Sequence, residues 1–168
     1  MPAAEHTLIL DHETIRRKIT RMAYEMVENN FGEKTIVLAG IEGQGHVLAR
    51  LLEKEIMTIS KITVLPVKIS IDKLAPEKSE VGLDVPLKDL RRKPIIMVDD
   101  VLNTGKILTY SMKPFLSTEV KKIEVAVLVN RSHLMFPVHP RYTGYALSTT
   151  LSEHIEVILG KRSAVYLH

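Results

Sequence analysis

Ile95-Ile96-Met97-Val98-Asp99-Asp100-Val101-Leu102-Asn103-Thr104-Gly105-Lys106-Ile107-Leu108-Thr109-Tyr110-Ser111 is the stretch from which fold and chemistry can both be read. Pro94 opens a run of four apolar residues, the pattern of a strand buried on both faces as in the middle of a parallel sheet. That strand ends on two adjacent carboxylates, Asp99 and Asp100. Unpaired buried carboxylates are costly, so the pair belongs near solvent, a cation or hydroxyl donors. Both can accept hydrogen bonds from the vicinal hydroxyls of a sugar. Both also suit a hydrated Mg2+, which takes oxygen ligands and keeps several waters. Residues 99–106 read as a polar loop and residues 107–116 as a helix disturbed at Pro114. Free backbone N–H groups at such a loop-to-helix junction suit a phosphate. Gly105 lets the backbone approach closely and the Thr104 hydroxyl adds a donor. Thr104-Gly105-Lys106 is not a Walker A motif, because the preceding glycine spacing is absent.

Outward from this stretch, strands and helices alternate. Residues 35–39 form another continuous apolar run, followed by the turn Gly40-Ile41-Glu42-Gly43-Gln44-Gly45 and a helix marked by Val47, Leu48, Leu51, Leu52 and Ile56. Upstream, Asp11 is an N-cap for a helix over residues 12–30, with Ile15, Ile19, Met22, Met26 and Val27 on one stripe and Gly32 as the stop. Met22 and Met26 read as core or subunit-contact residues. Residues 62–71 alternate as a strand, and residues 72–84, with Pro76 and Gly82, read as a loop long enough to carry function. Residues 123–129 are a further apolar strand, and 142–147, 156–159 and 164–167 are short ones. The alternation predicts an α/β fold with a mainly parallel central sheet flanked by helices. Ligands in such folds bind beyond the carboxyl ends of the strands, which directs attention to the loops after Ala39 and Val98.

At 168 residues the chain fits one domain, residues 1–168. Hydrophobic residues are 45% and charged residues 26%, which excludes a disordered or collagen-like chain. The absence of cysteine excludes disulfides, thiolate metal sites and cysteine nucleophiles. No apolar run reaches the ~18–20 residues of a membrane span, and residues 1–11 lack the basic start of a signal peptide, so a cytoplasmic protein is expected. A net charge of +3 permits a phosphate-bearing ligand or RNA without demanding either. With no tryptophan and few aromatics, a single-strand binder built on stacking platforms is disfavoured. The histidines show no metal-ligand spacing along the chain, and Arg91-Arg92-Lys93 reads as a solvated turn. Paired aspartates at a strand end also occur in receiver domains, but there they follow the first strand. Here they come after half the chain and lead directly into Thr-Gly-Lys.

The acidic-pair segment resembles the phosphoribosyl pyrophosphate (PRPP) signature of type I phosphoribosyltransferases. Four further segments narrow the resemblance: residues 16–28, residues 38–50, Ala126-Val127-Leu128-Val129-Asn130-Arg131-Ser132-His133, and Ser148-Thr149-Thr150-Leu151-Ser152-Glu153 with Ile155-Glu156-Val157. In this order and spacing the chain is similar to the pyrimidine operon attenuator/uracil phosphoribosyltransferase family, PyrR, over nearly its whole length. The resemblance implies a type I phosphoribosyltransferase fold with a small hood. It implies transfer of a phosphoribosyl group from PRPP to a base, with Mg2+, in a homo-oligomer expected to be a dimer. By position, Asp99 and Asp100 would hold the ribose hydroxyls, serve as the catalytic pair and support the metal through water. Asn103, Thr104, Gly105 and Lys106 would bind the 5′-phosphate, and Ile41, Glu42, Gly43, Gln44 and Gly45 would form the pyrophosphate loop. Lys73 and Lys78 would lie on a flexible closing loop, and Ser148, Thr149 and Thr150 by the base pocket.

The departures fall on the ligand loops. Glu42 and Gln44 stand where the family carries basic residues, and Ile107 stands where a threonine is usual. Asn103 occupies a frequent aromatic position, Leu151 replaces a common arginine, and Ile71-Asp72-Lys73 is what remains of the loop's tyrosine–arginine region. The family's second activity is RNA binding. Thr20, Arg21, Arg131 and His133 match part of that surface, whereas Tyr24, Asn130 and Leu134 do not. Two alternatives therefore stand beside a uracil phosphoribosyltransferase: a PRPP- or nucleotide-sensing RNA-binding regulator with little catalysis, and a phosphoribosyltransferase for another base.

Overall fold

A computed structural model describes residues 6–168. Its centre is a six-stranded sheet built from β2 (Thr35–Ile41), β3 (Thr63–Ser70), β4 (Gly82–Leu83), β5 (Pro94–Leu102), β6 (Lys122–Asn130) and β7 (Pro140–Ala146), in the order β4-β3-β2-β5-β6-β7. All neighbours run parallel except β4, which is antiparallel to β3. The expected mainly parallel sheet is therefore observed. A separate antiparallel sheet, β1 (Thr7–Leu10), β9 (Ala164–Leu167) and β8 (Ile155–Ile158), forms the hood.

Alternation along the central strands explains why the sheet is dry on both sides. Ile36, Leu38, Ile96, Val98, Ala126 and Leu128 face one core layer with helices α1 (His12–Asn29) and α2 (Gln44–Ile59). Val37, Ala39, Ile95, Met97, Val125 and Val127 face the other, with Phe115 and Leu108 from the short helices α3 (Lys106–Ser111) and α4 (Lys113–Leu116). Asp11 caps α1 as expected: its Oδ1 accepts from Thr14 N–H at 2.8 Å. Ile15, Ile19, Met22, Ala23 and Met26 are the buried stripe. The disturbance expected at Pro114 appears as the break at Met112 between α3 and α4.

Four boundaries differ from the expectation. Strand β5 continues through Asp99 and Asp100 to Leu102, because β6 runs beside it and pairs Val101 with Val129 and Leu102 with Asn130. The acidic pair thus lies in the last part of a strand, not in a loop. Helix α2 starts at Gln44, so Gln44 and Gly45 belong to its first turn. Residues 72–84 contain a 3-10 turn, Pro76–Lys78, and strand β4. Strand β1 was not expected. It exists because its partner β9 is the last strand of the chain, a pairing that no local pattern displays. Residues 1–5 of the segment read as lacking a signal peptide lie outside the described residues.

Candidate active site

Parallel pairing of β2 with β5, Gly40 opposite Val98, puts the loop after β2 beside the acidic pair. The contact is tight. A Cβ on Gly45 would lie 2.9 Å from Asp99 Oδ1, 2.9 Å from the Val98 carbonyl oxygen and 3.1 Å from Asp99 Cα. Glycine at this position is what allows the first turn of α2 to sit against Asp99. That carboxylate is only 8% exposed. Its Oδ1 accepts from the Asp100 N–H at 2.9 Å. Burial pushes the Asp99 carboxyl well above its ordinary range, the neighbouring Asp100 charge pushes it further, and Lys73 pulls in the opposite direction.

Lys73 is the cation that the loop after β2 lacks. It comes from the segment after β3, and its Nζ donates to the Glu42 carbonyl oxygen at 3.0 Å. The Glu42 N–H is tied to Ile69 O at 2.8 Å. Ile41 is core, and Gln44 points away toward the hood, where its Oε1 accepts from Leu159 N–H at 2.9 Å. Residues 41–45 thus divide: Gly45 packs on Asp99, Glu42 and Gly43 lie by the Lys73 ammonium, and the Ile41 and Gln44 side chains serve the core and the hood.

The segment after β5 turns at Gly105, whose φ of +85° favours glycine. A Cβ there would also stand 3.1 Å from Val138 Cγ2. The Thr104 carbonyl accepts from the Met135 and Phe136 N–H groups at 2.9 and 3.1 Å, and Thr104 Oγ1 accepts from Lys106 N–H at 3.3 Å. Lys106 Nζ lies 3.4 Å from Glu77 Oε2, with both side chains about two-fifths exposed (43% and 41%). Lys73, residues 99–108 and residues 154–157 of the hood line one cleft of ≈ 340 Å³. Asp99, Asp100, Asn103, Thr104, Gly105, Lys106 and Lys73 are therefore brought together in that cleft.

Other expected positions, all of Ile41 to Gly45 among them, are not in the cleft lining. Lys78 is exposed on its 3-10 turn, and its neighbour Glu77 is the residue that meets Lys106. Ser148, Thr149 and Thr150 stand outside that lining, and the last two are bonded to Arg131. That residue is 9% exposed; its Nε donates to Thr149 Oγ1 at 2.9 Å and its Nη1 to Asn103 Oδ1 at 2.7 Å. Its Nη2 donates to the carbonyls of Thr150 at 3.2 Å and Glu153 at 2.7 Å. Arg131 thus welds the loop after β5 to residues 149–153. His133 Nε2 lies 2.6 Å from the Thr149 carbonyl oxygen. Both residues matched an RNA surface in sequence, yet Arg131 is buried and its guanidinium is engaged inside the chain. Arg21 is likewise bonded to Glu25 and to the carbonyls of Thr143 and Gly144, though half exposed. Sequence reading missed three contributors: Glu77, the clamp role of Arg131, and His154 to Val157 as a wall. The only prior signal for the wall was the family-like Ile155-Glu156-Val157 segment.

Comparison with known proteins is consistent with this geometry. The phosphoribosyl transferase domain matches residues 6–156. A protein of Fusobacterium nucleatum named "Bifunctional protein PyrR" is 33% identical, covering 95% of this chain and 97% of that one. Its namesake in Halalkalibacterium halodurans is 35% identical over 88% of this chain and 87% of that one. Among solved structures, a hypoxanthine-guanine phosphoribosyltransferase of Bacillus anthracis superposes with a TM-score of 0.73 at 21% identity, covering 87% and 85% of the two chains. A hypoxanthine phosphoribosyltransferase of Trypanosoma cruzi gives 0.75 at 14% identity, covering 90% and 80%. At these identities the structural likeness speaks for the fold alone.

Proposed function

The chain belongs to the phosphoribosyl transferase domain family, among its PyrR relatives, and we propose that it transfers the phosphoribosyl group of PRPP to a nucleobase, uracil foremost, giving the nucleoside monophosphate and pyrophosphate. The observation that carries this reading is the single cleft in which an acidic pair, a loop-to-helix junction and a cross-loop lysine meet.

Ribose, 5′-phosphate and pyrophosphate each have a chemical counterpart in that cleft. Asp99 and Asp100 accept from the vicinal ribose hydroxyls. Backbone N–H groups at residues 104–106, the Thr104 hydroxyl and the Lys106 ammonium receive the 5′-phosphate. Lys73 stands at the loop after β2 and supplies the positive charge for pyrophosphate, the task that Glu42 and Gln44 are unsuited to. The donor set fits Mg2+: two adjacent carboxylates, one of them buried and disfavoured as an anion until a cation arrives. Asp99 and Asp100 would hold that ion through its waters, and the ion would offset the charge of the departing pyrophosphate. The transition state has oxocarbenium character. The chain's contribution is to hold ribose, phosphate and base in line, to place Lys73 by the leaving group and to keep water out. Thr149 and Thr150, fixed by Arg131, and Ser148 before them lie outside the cleft lining and would meet the base at its edge.

Arg131 and Arg21 are already hydrogen-bonded within the chain, which favours the enzyme over the RNA-binding regulator. No helix among the described residues is long and apolar enough to cross a membrane. We place the protein in the cytoplasm as a dimer, to be checked by fractionation and by sedimentation. The deciding experiment is calorimetry of PRPP with and without Mg2+, followed by uracil with pyrophosphate release as readout. Mg2+-dependent binding with turnover is expected. A panel of bases is the next arm if PRPP binds without turnover on uracil. Unchanged PRPP affinity in Asp100→Asn would overturn the placement of the sugar.

A further inference from the structure

The hood sheet carries a second cluster, two imidazoles and a carboxylate, to which the transferase reading gives no chemical role; its Glu156 belongs to the segment that walls the cleft. The register opposes Thr7 of β1 to Leu167 of β9, and Leu167 to Ile155 of β8. One residue further along, His6, His168 and His154 therefore stand in a row across the sheet edge. His154 and His168 close this row by exchanging backbone hydrogen bonds of 3.0 and 2.9 Å. Along β8, Ile155 and Val157 are buried while Glu156 and Ile158 are exposed, so Glu156 shares the outer face with His154 and lies diagonally across from His168.

Three side chains converge at one point of this face. His168 Nε2 is 2.7 Å from Glu156 Oε2 and 3.4 Å from His6 Nδ1. Ligand atoms of all three residues lie within 4.8 Å of one another. One ring nitrogen thus faces a carboxylate oxygen and a second imidazole nitrogen together, and a single N–H cannot serve both well. We propose that His6, Glu156 and His168 form a binding site for a zinc-class divalent transition metal, with a fourth position open to water. Two imidazoles and one carboxylate are a ligand set that zinc takes readily. Tetrahedral ligands at ordinary zinc–nitrogen lengths stand roughly 3.3 Å apart; the His6–His168 separation already matches, and the His168–Glu156 contact needs to open by about half an ångström. The ligands come from β8 and from the residues just before β1 and just after β9, at opposite ends of the sequence, which is why no spacing motif announces them. Its mixed imidazole and carboxylate set differs from the oxygen-only set of Asp99 and Asp100, which suits Mg2+.

The test is titration of the untagged full-length chain with Zn2+ alone by calorimetry, and with Co2+ by its visible absorption. One equivalent of Zn2+ and a low-coordinate Co2+ spectrum are expected. His168→Ala and Glu156→Gln should each weaken binding by at least about tenfold, since losing even an outer partner of a metal ligand costs ~10–100-fold. His139→Ala, exposed and remote in the fold, and the Asp99→Asn/Asp100→Asn double variant should bind as the parent does. Wild-type affinity in His168→Ala and Glu156→Gln, loss of Zn2+ in the double aspartate variant, or no stoichiometric binding would each overturn the proposal.

Discussion

Replacing Gly45 by alanine sets two effects of opposite sign against each other. Gly45 is the second residue of α2, and alanine is a better helix former than glycine by up to ~1 kcal/mol. Local propensity alone therefore predicts a more stable protein. The added methyl would stand 2.9 Å from Asp99 Oδ1, 2.9 Å from the Val98 carbonyl oxygen and 3.1 Å from Asp99 Cα. These atoms belong to β5, which is hydrogen-bonded between β2 and β6, so the strand cannot yield cheaply. Overpacking of this kind costs about 1–3 kcal/mol. The clash wins, and a net loss of roughly 1–2 kcal/mol is expected, which for a chain of this size lowers Tm by about 2–8 °C. The same displacement moves Asp99 relative to the phosphate loop, so PRPP affinity should fall by at least about tenfold. Calorimetric melting and PRPP titration of the same preparation check both numbers. An unchanged or raised Tm with PRPP binding intact would show that α2 does not press on the acidic pair and would refute the account of the site.

Three further perturbations test other parts of the argument. Asp99→Asn removes a carboxyl that burial and Asp100 hold above its ordinary range. The folded chain keeps that proton where the unfolded chain has lost it, so the aspartate costs stability as pH rises from the ordinary carboxylate range through the raised one. The asparagine variant should therefore melt higher than the parent at neutral pH and equally below the carboxylate range, while losing PRPP binding; a neutral-pH Tm below the parent's would contradict this. Arg131→Lys replaces a four-contact fork by a point charge and should cost roughly 2–3 kcal/mol in urea unfolding, with a larger effect on the KM for the base than on that for PRPP. Glu77→Gln breaks an exposed, solvent-screened ion pair, so the urea unfolding midpoint should not move measurably. PRPP should bind more tightly at low salt, because Lys106 no longer has a competing carboxylate; weaker binding would mean that Glu77 positions the lysine.

The chain's local pattern determined much of this protein. The dry strands 35–39 and 95–98, the Asp11 cap and the break near Pro114 are consequences of neighbours in sequence, and each formed where periodicity and capping placed it. The donor pattern between Asp99 and Lys106 was legible for the same reason: two carboxylates, a hydroxyl, a glycine and an ammonium follow one another within a single crossing from strand to helix, and the proposed ribose, metal and phosphate roles rest on that order. Only the tertiary structure decided what depends on distant pairing. The extra length of β5 comes from its ladder with β6, and β1 exists only because β9 returns to meet it. Lys73 is the site's second cation because β3 lies beside β2, and Arg131 is a buried clamp because residues 149–153 fold back over the end of β6. Charge and residue type can be read locally. Which of two similar arginines is buried, which lysine reaches a loop 31 residues away and which three side chains meet on the hood are set by strand register, which couples segments that share no local signal.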